Sequence, residues 1–183
     1  MEREFAEFED KLARASARIE REYFQLPVAD ADSVYRERVY CYELYHQLRS
    51  CWNGFPFSLG GEVDKMKHPF FENGPYATTK PDLLVHRPGD MGRNLACVEV
   101  KPCCRASGDF RDDLTKLTWF CRNARYHGGI FLVYGLEEGE TPDRLLLRRK
   151  LGRAVAKHDD IDLGLVRIVH HPAAGMQAER LNL

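Results

Sequence analysis

No stretch of this chain approaches the roughly 18 consecutive apolar residues that a membrane-spanning helix needs. No hydrophobic leader follows Met1-Glu2-Arg3-Glu4. The expectation is a cytoplasmic protein without a membrane partner. None of the six cysteines forms a C-x-x-C pair, which removes the usual zinc and thioredoxin-type signatures. Cys41, Cys97 and Cys121 fall where the pattern predicts burial, so reduced structural thiols are expected. Internal repeats and low-complexity segments are missing. So are helix-turn-helix, zinc-finger and other nucleic-acid reader modules. A large net charge is missing too, at −1 over 183 residues.

What is there suits one globular domain, residues 1–183. The composition is 44% hydrophobic, and the length allows a sizeable core. The charge is uneven. Between Lys101 and Lys157 twelve Lys or Arg face seven Asp or Glu, while the remainder holds fifteen basic and twenty-one acidic residues. A basic second half beside carboxylates fits a phosphate-bearing partner, and mixed charge that keeps a surface soluble would look similar.

Phe5, Phe8, Leu12, Ala15, Ile19 and Tyr23 recur at helical spacing and predict a helix over 2–24 that Pro27 ends. This N-terminal arm, 1–30, is read as a packing or self-associating element, which leaves a homodimer open. A second helix is expected from an Asp32 or Ser33 cap to about Cys51. It is apolar on two sides, Cys41, Leu44 and Leu48 on one and Val39, Tyr42 and His46 on the other, as for a helix sandwiched between layers. Leu59–Met66 reads as a strand with Glu62 and Asp64 on its polar face. Residues 67–80, with His68, read as a loop. A helix over 109–126 carries the stripe Phe110, Leu114, Leu117, Cys121 and Ala124. On it Asp113 and Lys116, one turn apart, read as a surface pair. Gly129–Gly135 is an apolar run with the length of a buried strand. Thr141 and Pro142 open a basic helix to Lys157. A last strand is expected over Leu163–His170, then a frayed tail.

The centre of the chain is Pro81–Lys101. Pro81-Asp82-Leu83-Leu84-Val85-His86 and Ala96-Cys97-Val98-Glu99-Val100-Lys101 read as strands, joined by the turn chemistry of Arg87-Pro88-Gly89-Asp90-Met91-Gly92. Strand alternation puts Glu99 and Lys101 on one face and Val98 and Val100 on the other. With Asp82 on the first of these faces, two carboxylates and an ammonium converge. Two such carboxylates repel unless a cation lies between them, and a hard cation such as magnesium takes oxygen ligands. A solvated hairpin with a cross-strand ion pair would use the same residues.

Pro81-Asp82, a gap, then Glu99-Val100-Lys101 resembles the PD-(D/E)xK phosphodiesterase superfamily, the restriction-endonuclease-like fold. The order of elements over 32–135, αβββαβ, resembles that core, with 136–183 as an added C-terminal helix and strand. The resemblance implies an α/β fold with a mixed central sheet flanked by helices. It implies magnesium-dependent, or manganese-dependent, hydrolysis of a nucleic acid, DNA in the first instance. Asp82 and Glu99 would hold the metal, with the Val100 carbonyl as a further ligand. Lys101 would position water or stabilise the transition state. In this superfamily a first-helix glutamate often completes the site. Glu43 is the candidate and Glu37 the competitor; six residues at 100° each set them about 120° apart, so both cannot face one site. Lys116, Arg149 and Arg153 are expected phosphate contacts. Some RecB-like nucleases hold an iron–sulfur cluster on four separated cysteines, a set this chain lacks. Members of the superfamily also lose activity and persist as binding modules, so a non-catalytic nucleic-acid- or protein-binding role is the alternative, and a structural oligomer built on the N-terminal helix a third.

Overall fold

The computed structural model describes residues 1–62, 75–76, 79–141, 144–156 and 158–183. The elements run α1 (Glu2–Ser16), α2 (Arg21–Phe24), β1 (Leu26–Val28), β2 (Ala31–Val34), α3 (Glu37–Ser50), β3 (Ser58–Gly61), β4 (Leu83–His86), β5 (Asn94–Pro102), α4 (Ser107–Asn123), β6 (Gly128–Tyr134), α5 (Leu145–Val155), β7 (Val166–His171) and β8 (Glu179–Arg180). Strands β3 to β8 form one mixed sheet in sequence order, and β1 pairs with β2 separately. β3, β4 and β5 make an antiparallel meander, β5, β6 and β7 are parallel, and β8 closes the far edge antiparallel. The expected α/β class and the order helix, three strands, helix, strand are therefore present from α3 to β6.

Alternation along the strands divides the core in two. Val98, Val100, Ile130 and Leu132 face α1 and α3, while Cys97, Phe131 and Val133 face α4 and α5. Glu99 and Lys101 share the parity of Cys97 and so point toward α4. β6 is buried along its whole length, because parallel strands between two helical layers have no solvated side. Phe5 lies against Gly128, where an added Cβ would come within 2.6 Å of the ring; only glycine lets α1 sit this close. α1 is thus a packing element rather than a projecting arm.

Several boundaries differ from the sequence expectation. The first helix stops at Ser16, not near residue 24. Ser16 is buried and its hydroxyl accepts from the Ala178 N–H at 2.8 Å, so the chain turns there and drops Ile19 into the core. The second helix starts at Glu37, not at Asp32 or Ser33, because Ala31–Val34 pairs with Leu26–Val28. The hairpin turns at Asp30 with φ 58°, a left-handed conformation that Asp tolerates. α3 is apolar on one side only: Tyr40, Cys41, Leu44 and Leu48 are buried, while Tyr42 and His46 are exposed. The third strand is described only over Ser58–Gly61; Asp64 and His68 lie outside the described residues, as do Pro142 and Lys157 of the basic helix. That helix is capped not by Thr141 but by Glu140, whose carboxylate accepts from the Thr141, Leu146 and Leu147 N–H groups. The tail is not frayed: Ala178 and Leu181 are buried around β8. No helix among the described residues is long and apolar enough to cross a membrane, and all six cysteines are free thiols.

Tyr40 on α3 stacks on Tyr134 of β6 with ring centroids 4.0 Å apart, and it shares a buried hydrogen bond of 2.8 Å with His171 Nδ1. Burial pushes the His171 imidazole down to about 4 from its ordinary 6.5. A group whose folded pKa is depressed gives stability that is complete above the unfolded pKa and is lost as pH falls through the folded one. The protein should therefore lose up to roughly 3 kcal/mol between pH 6.5 and 4 through this ring alone. In urea unfolding, His171→Gln should show a flatter slope over that window, and a slope equal to the parent's would remove His171 as its source.

Candidate functional site

The site is set by where β4 ends. β4 and β5 pair Leu83 with Val98, so Asp82, the residue before β4, stands across from Glu99. Asp82 still accepts from the Glu62 N–H through its carbonyl on the β3 side, but toward β5 its carboxylate takes the place of a strand carbonyl: the Val100 N–H donates to Asp82 Oδ2 at 2.7 Å. Pro81 before it suits this end, since proline has no N–H to offer the ladder. Glu99 and Lys101, two residues apart on β5, project from the same face.

Two helices supply the rest. Lys101 Nζ lies 3.0 Å from Glu37 Oε1, at the start of α3, and 3.3 Å from Asp113 Oδ2 on α4. Lys116, one turn further along α4, lies 2.8 Å from both Glu99 Oε1 and Asp113 Oδ1. Four carboxylates therefore surround two ammonium groups, and with all six ionised the formal balance is −2. Glu99 is only 2% exposed. Burial drives its pKa well above the ordinary carboxylate value, Asp82 pushes it further, and Lys116 opposes both. Burial likewise pushes Asp82 up to about 6, against the Val100 N–H and Lys101. For Lys101 burial works against the ammonium, but Asp113, Glu37 and Asp82 together outweigh it and raise its pKa. Lys116 is raised in the same way, by Glu99 and Asp113 against burial.

The structure brings together Asp82, Glu99, Lys101 and Lys116, with Val100 between its two neighbours and its carbonyl 3.3 Å from Lys101 Nζ. It does not bring Glu43. The carboxylate that α3 delivers is Glu37, and Glu43 accepts a hydrogen bond from Gln47 one turn along its own helix. The buried stripe Tyr40, Cys41, Leu44, Leu48 continues backwards onto Glu37 at helical spacing, so the helix phase carried the answer. Tyr42, next to Glu43, is exposed, so that side of α3 is turned away from the core. The Asp113–Lys116 pair is not on the surface, because Glu99 lies across from it. Lys116 is thus occupied by carboxylates rather than presented to a phosphate. Arg149 and Arg153 are exposed on α5, away from the cluster. Glu62 is exposed, pairs with Arg38 at 3.3 Å, and shares with Glu37, Lys80 and Asp82 a polar cleft of about 330 Å³ at the edge of the cluster.

The donors suit a hard divalent cation. Glu99 Oε1 and Asp113 Oδ2 are buried, with the Lys116 and Lys101 ammonium groups at 2.8 and 3.3 Å as their neighbours. Asp82 and Glu99 would be the ligands. Among the described residues no three metal-ligating side chains form a ready cage, and magnesium does not demand one, since it keeps several waters and takes one or two carboxylates.

Removing one partner of a buried ion pair costs about 3–5 kcal/mol, because the other charge is left uncompensated. Lys116→Met should destabilise the protein by that order at pH 7 in chelator. The loss should shrink as pH falls toward 4.5, where Glu99 is protonated in the unfolded chain as well. Unchanged unfolding of Lys116→Met across this range would show that the pair contributes nothing. Set against known proteins, the chain matches no family model, no curated protein and no solved structure.

Proposed function

We propose that this protein is a divalent-cation-dependent nuclease that hydrolyses phosphodiester bonds in nucleic acid, DNA in the first instance. The observation that carries this reading is the meeting of Asp82, Glu99 and Lys101 on one sheet face, within a cluster that with Glu37, Asp113 and Lys116 has a formal balance of −2 when all six are ionised. The spacing Pro-Asp, gap, Glu-x-Lys and the αβββαβ order support it by resemblance to the PD-(D/E)xK superfamily. Free thiols throughout agree with a reducing, cytoplasmic setting.

Asp82 and Glu99 would hold magnesium or manganese, which when bound supplies a more acidic water and neutralises phosphoryl charge. The chain's own residues divide the remaining work. Lys101 is kept charged by Glu37, Asp113 and Asp82. An ammonium that stays protonated is not a base, so its role is to stabilise negative charge developing on a non-bridging phosphate oxygen. Glu37 and Asp113 fix its position from two different helices. Lys116 holds Glu99 and Asp113 apart from each other's charge. The polar cleft beside Asp82 supplies room for a phosphate, with Arg38 and Lys80 among its walls.

A second reading has its own observation. Lys116 already lies against Glu99, so the cluster also works as a purely structural ion network in a protein that binds without cutting. Catalysis separates the two. Asp82→Ala and Glu99→Ala should each lower magnesium-dependent cleavage of labelled DNA at least about a thousandfold, equivalent to roughly 4 kcal/mol of transition-state stabilisation. Chelator should abolish it in the parent. Cleavage that survives both substitutions removes the nuclease reading, and DNA binding with no cleavage under any divalent cation favours the silent module.

Arg149 and Arg153, one turn apart and exposed on α5, are assigned to substrate capture. Phosphate contacts position a nucleic acid without reading its sequence. Arg149→Ala/Arg153→Ala should weaken duplex binding equally for unrelated sequences and lower the salt slope by about 1.8. Turnover at saturating substrate should be unchanged. An unaltered dissociation constant and slope would make this side of α5 an ordinary solvated face.

A further inference from the structure

Beside the carboxylate cluster, on the opposite side of Asp82 from Lys101, lies a hollow of about 360 Å³ between α3 and the β3–β4 pair. Its character is different from that of the cluster. Tyr42, Tyr45, Cys41 and Leu83 line it, and among the described residues Asp82 and Glu62 are shared with the polar cleft where Arg38 and Lys80 lie. Tyr42 is 61% exposed, so its ring is not spent on packing. The Tyr45 ring lies over Gly61, 3.6 Å from where a Cβ would be, and its hydroxyl donates to the Leu59 carbonyl at 3.4 Å, which fixes the ring against the strand. Gly61 leaves the floor open at a strand position where a branched side chain would fill it.

An aromatic hollow and a polar cleft that carries Arg38 and Lys80 among Glu37, Glu62 and Asp82 thus meet at Asp82 and Glu62, and a nucleotide suits that arrangement: a flat apolar base in the hollow, a phosphate against Arg38 in the cleft. We infer that the hollow is a subsite for one unpaired nucleobase, and that the substrate is single-stranded or locally unpaired nucleic acid; the inference rests on the nuclease reading above. A base within a duplex has both faces and its pairing edge occupied and cannot enter the hollow without leaving the stack. Stacking on tyrosine tolerates any sequence, since every base has a π-face. Arg38 is 70% exposed and its pair with Glu62 at 3.3 Å is of the weak surface kind, so it is exchangeable for a phosphate oxygen. Peptide aromatic side chains would fit the hollow sterically but would leave the charged cleft beside it unused.

The test is equilibrium binding of the full chain, in chelator, to a labelled oligothymidylate strand and to a duplex of equal length, with deoxy and ribo strands as separate arms. The single strand should bind more tightly than the duplex. Tyr42→Ala should weaken the strand about tenfold, within the range for loss of one stacked base, while moving the duplex less than about twofold. Tyr42→Phe should keep the parent affinity. Gly61→Val, whose methyl groups would enter the hollow while suiting a strand, should reproduce the loss. Unchanged strand binding in Tyr42→Ala and Gly61→Val, or equal losses for strand and duplex, overturns the subsite. Because no catalysis occurs in chelator, the two readings fail separately. Strand binding that depends on Tyr42 in a protein that never cleaves keeps the base subsite and discards the nuclease. Asp82-dependent cleavage with binding indifferent to Tyr42 does the reverse.

Discussion

Glu99 is a carboxylate in the middle layer of a three-layer protein, and the cost of its burial organises everything around it. A charged group there is tolerated only when paired. Lys116 is the pair, Asp113 orients Lys116, and Asp113 in turn reaches Lys101. Lys101 then draws in Glu37 from the opposite helical layer. A single buried acid thus links α3, β5 and α4 by charge at a point where hydrophobic contact cannot reach across the sheet. The chain of pairs still ends with more negative than positive groups. The excess is relieved either by protons, which the raised values of Asp82 and Glu99 favour, or by a bound cation.

The parts of this arrangement that depend on local rules could be read from the chain. Alternation in Ala96–Lys101 and the turn residues before it were enough to place β4, β5 and the shared face of Glu99 and Lys101. The stripe on α4 and the apolar run of β6 were equally plain, because their periods are long and unbroken. The parts that failed are those settled by a partner remote in sequence. The hydroxyl that ends α1 at Ser16 answers to Ala178, and β8 exists only because β7 offers it an edge. Asp113 and Lys116 were recognisable as a pair, but the same spacing occurs on any solvated helix; only Glu99 across the gap makes them interior. The Glu37 and Glu43 choice was different in kind. The buried stripe Tyr40, Cys41, Leu44 and Leu48 sets the helix phase and puts Glu37 rather than Glu43 on the inner side.

The two functional surfaces inferred here sit on either side of Asp82 and are built differently. On the α4 side the groups are charged, mutually constrained and nearly dry. On the α3 side they are aromatic and more open, with Tyr42 largely exposed. That contrast suits a division between chemistry, which requires fixed charges, and recognition of a flexible strand, which tolerates movement.

The hydrogen bond from Ala178 to Ser16 has a bearing on how the chain acquires its shape. It is not isolated: Arg167 on β7 forms ion pairs with Glu2 and Glu9 on α1, and Tyr40 meets His171. The N-terminal and C-terminal parts are thus fastened to each other across more than a hundred positions, as in the Ala178–Ser16 bond with its separation of 162. Closing so long a loop precedes any reward from the contacts it makes, and it slows folding. The stretch 32–135 contains every residue of the carboxylate cluster, yet it lacks α1 and β7, which cover one face and one edge of its sheet. Excised, it would carry a complete set of chemical groups between α3 and α4, but one face of its sheet would lack α1 and β6 would become a bare edge. The cluster thus sits in a sheet whose cover is complete only once β7 has joined it.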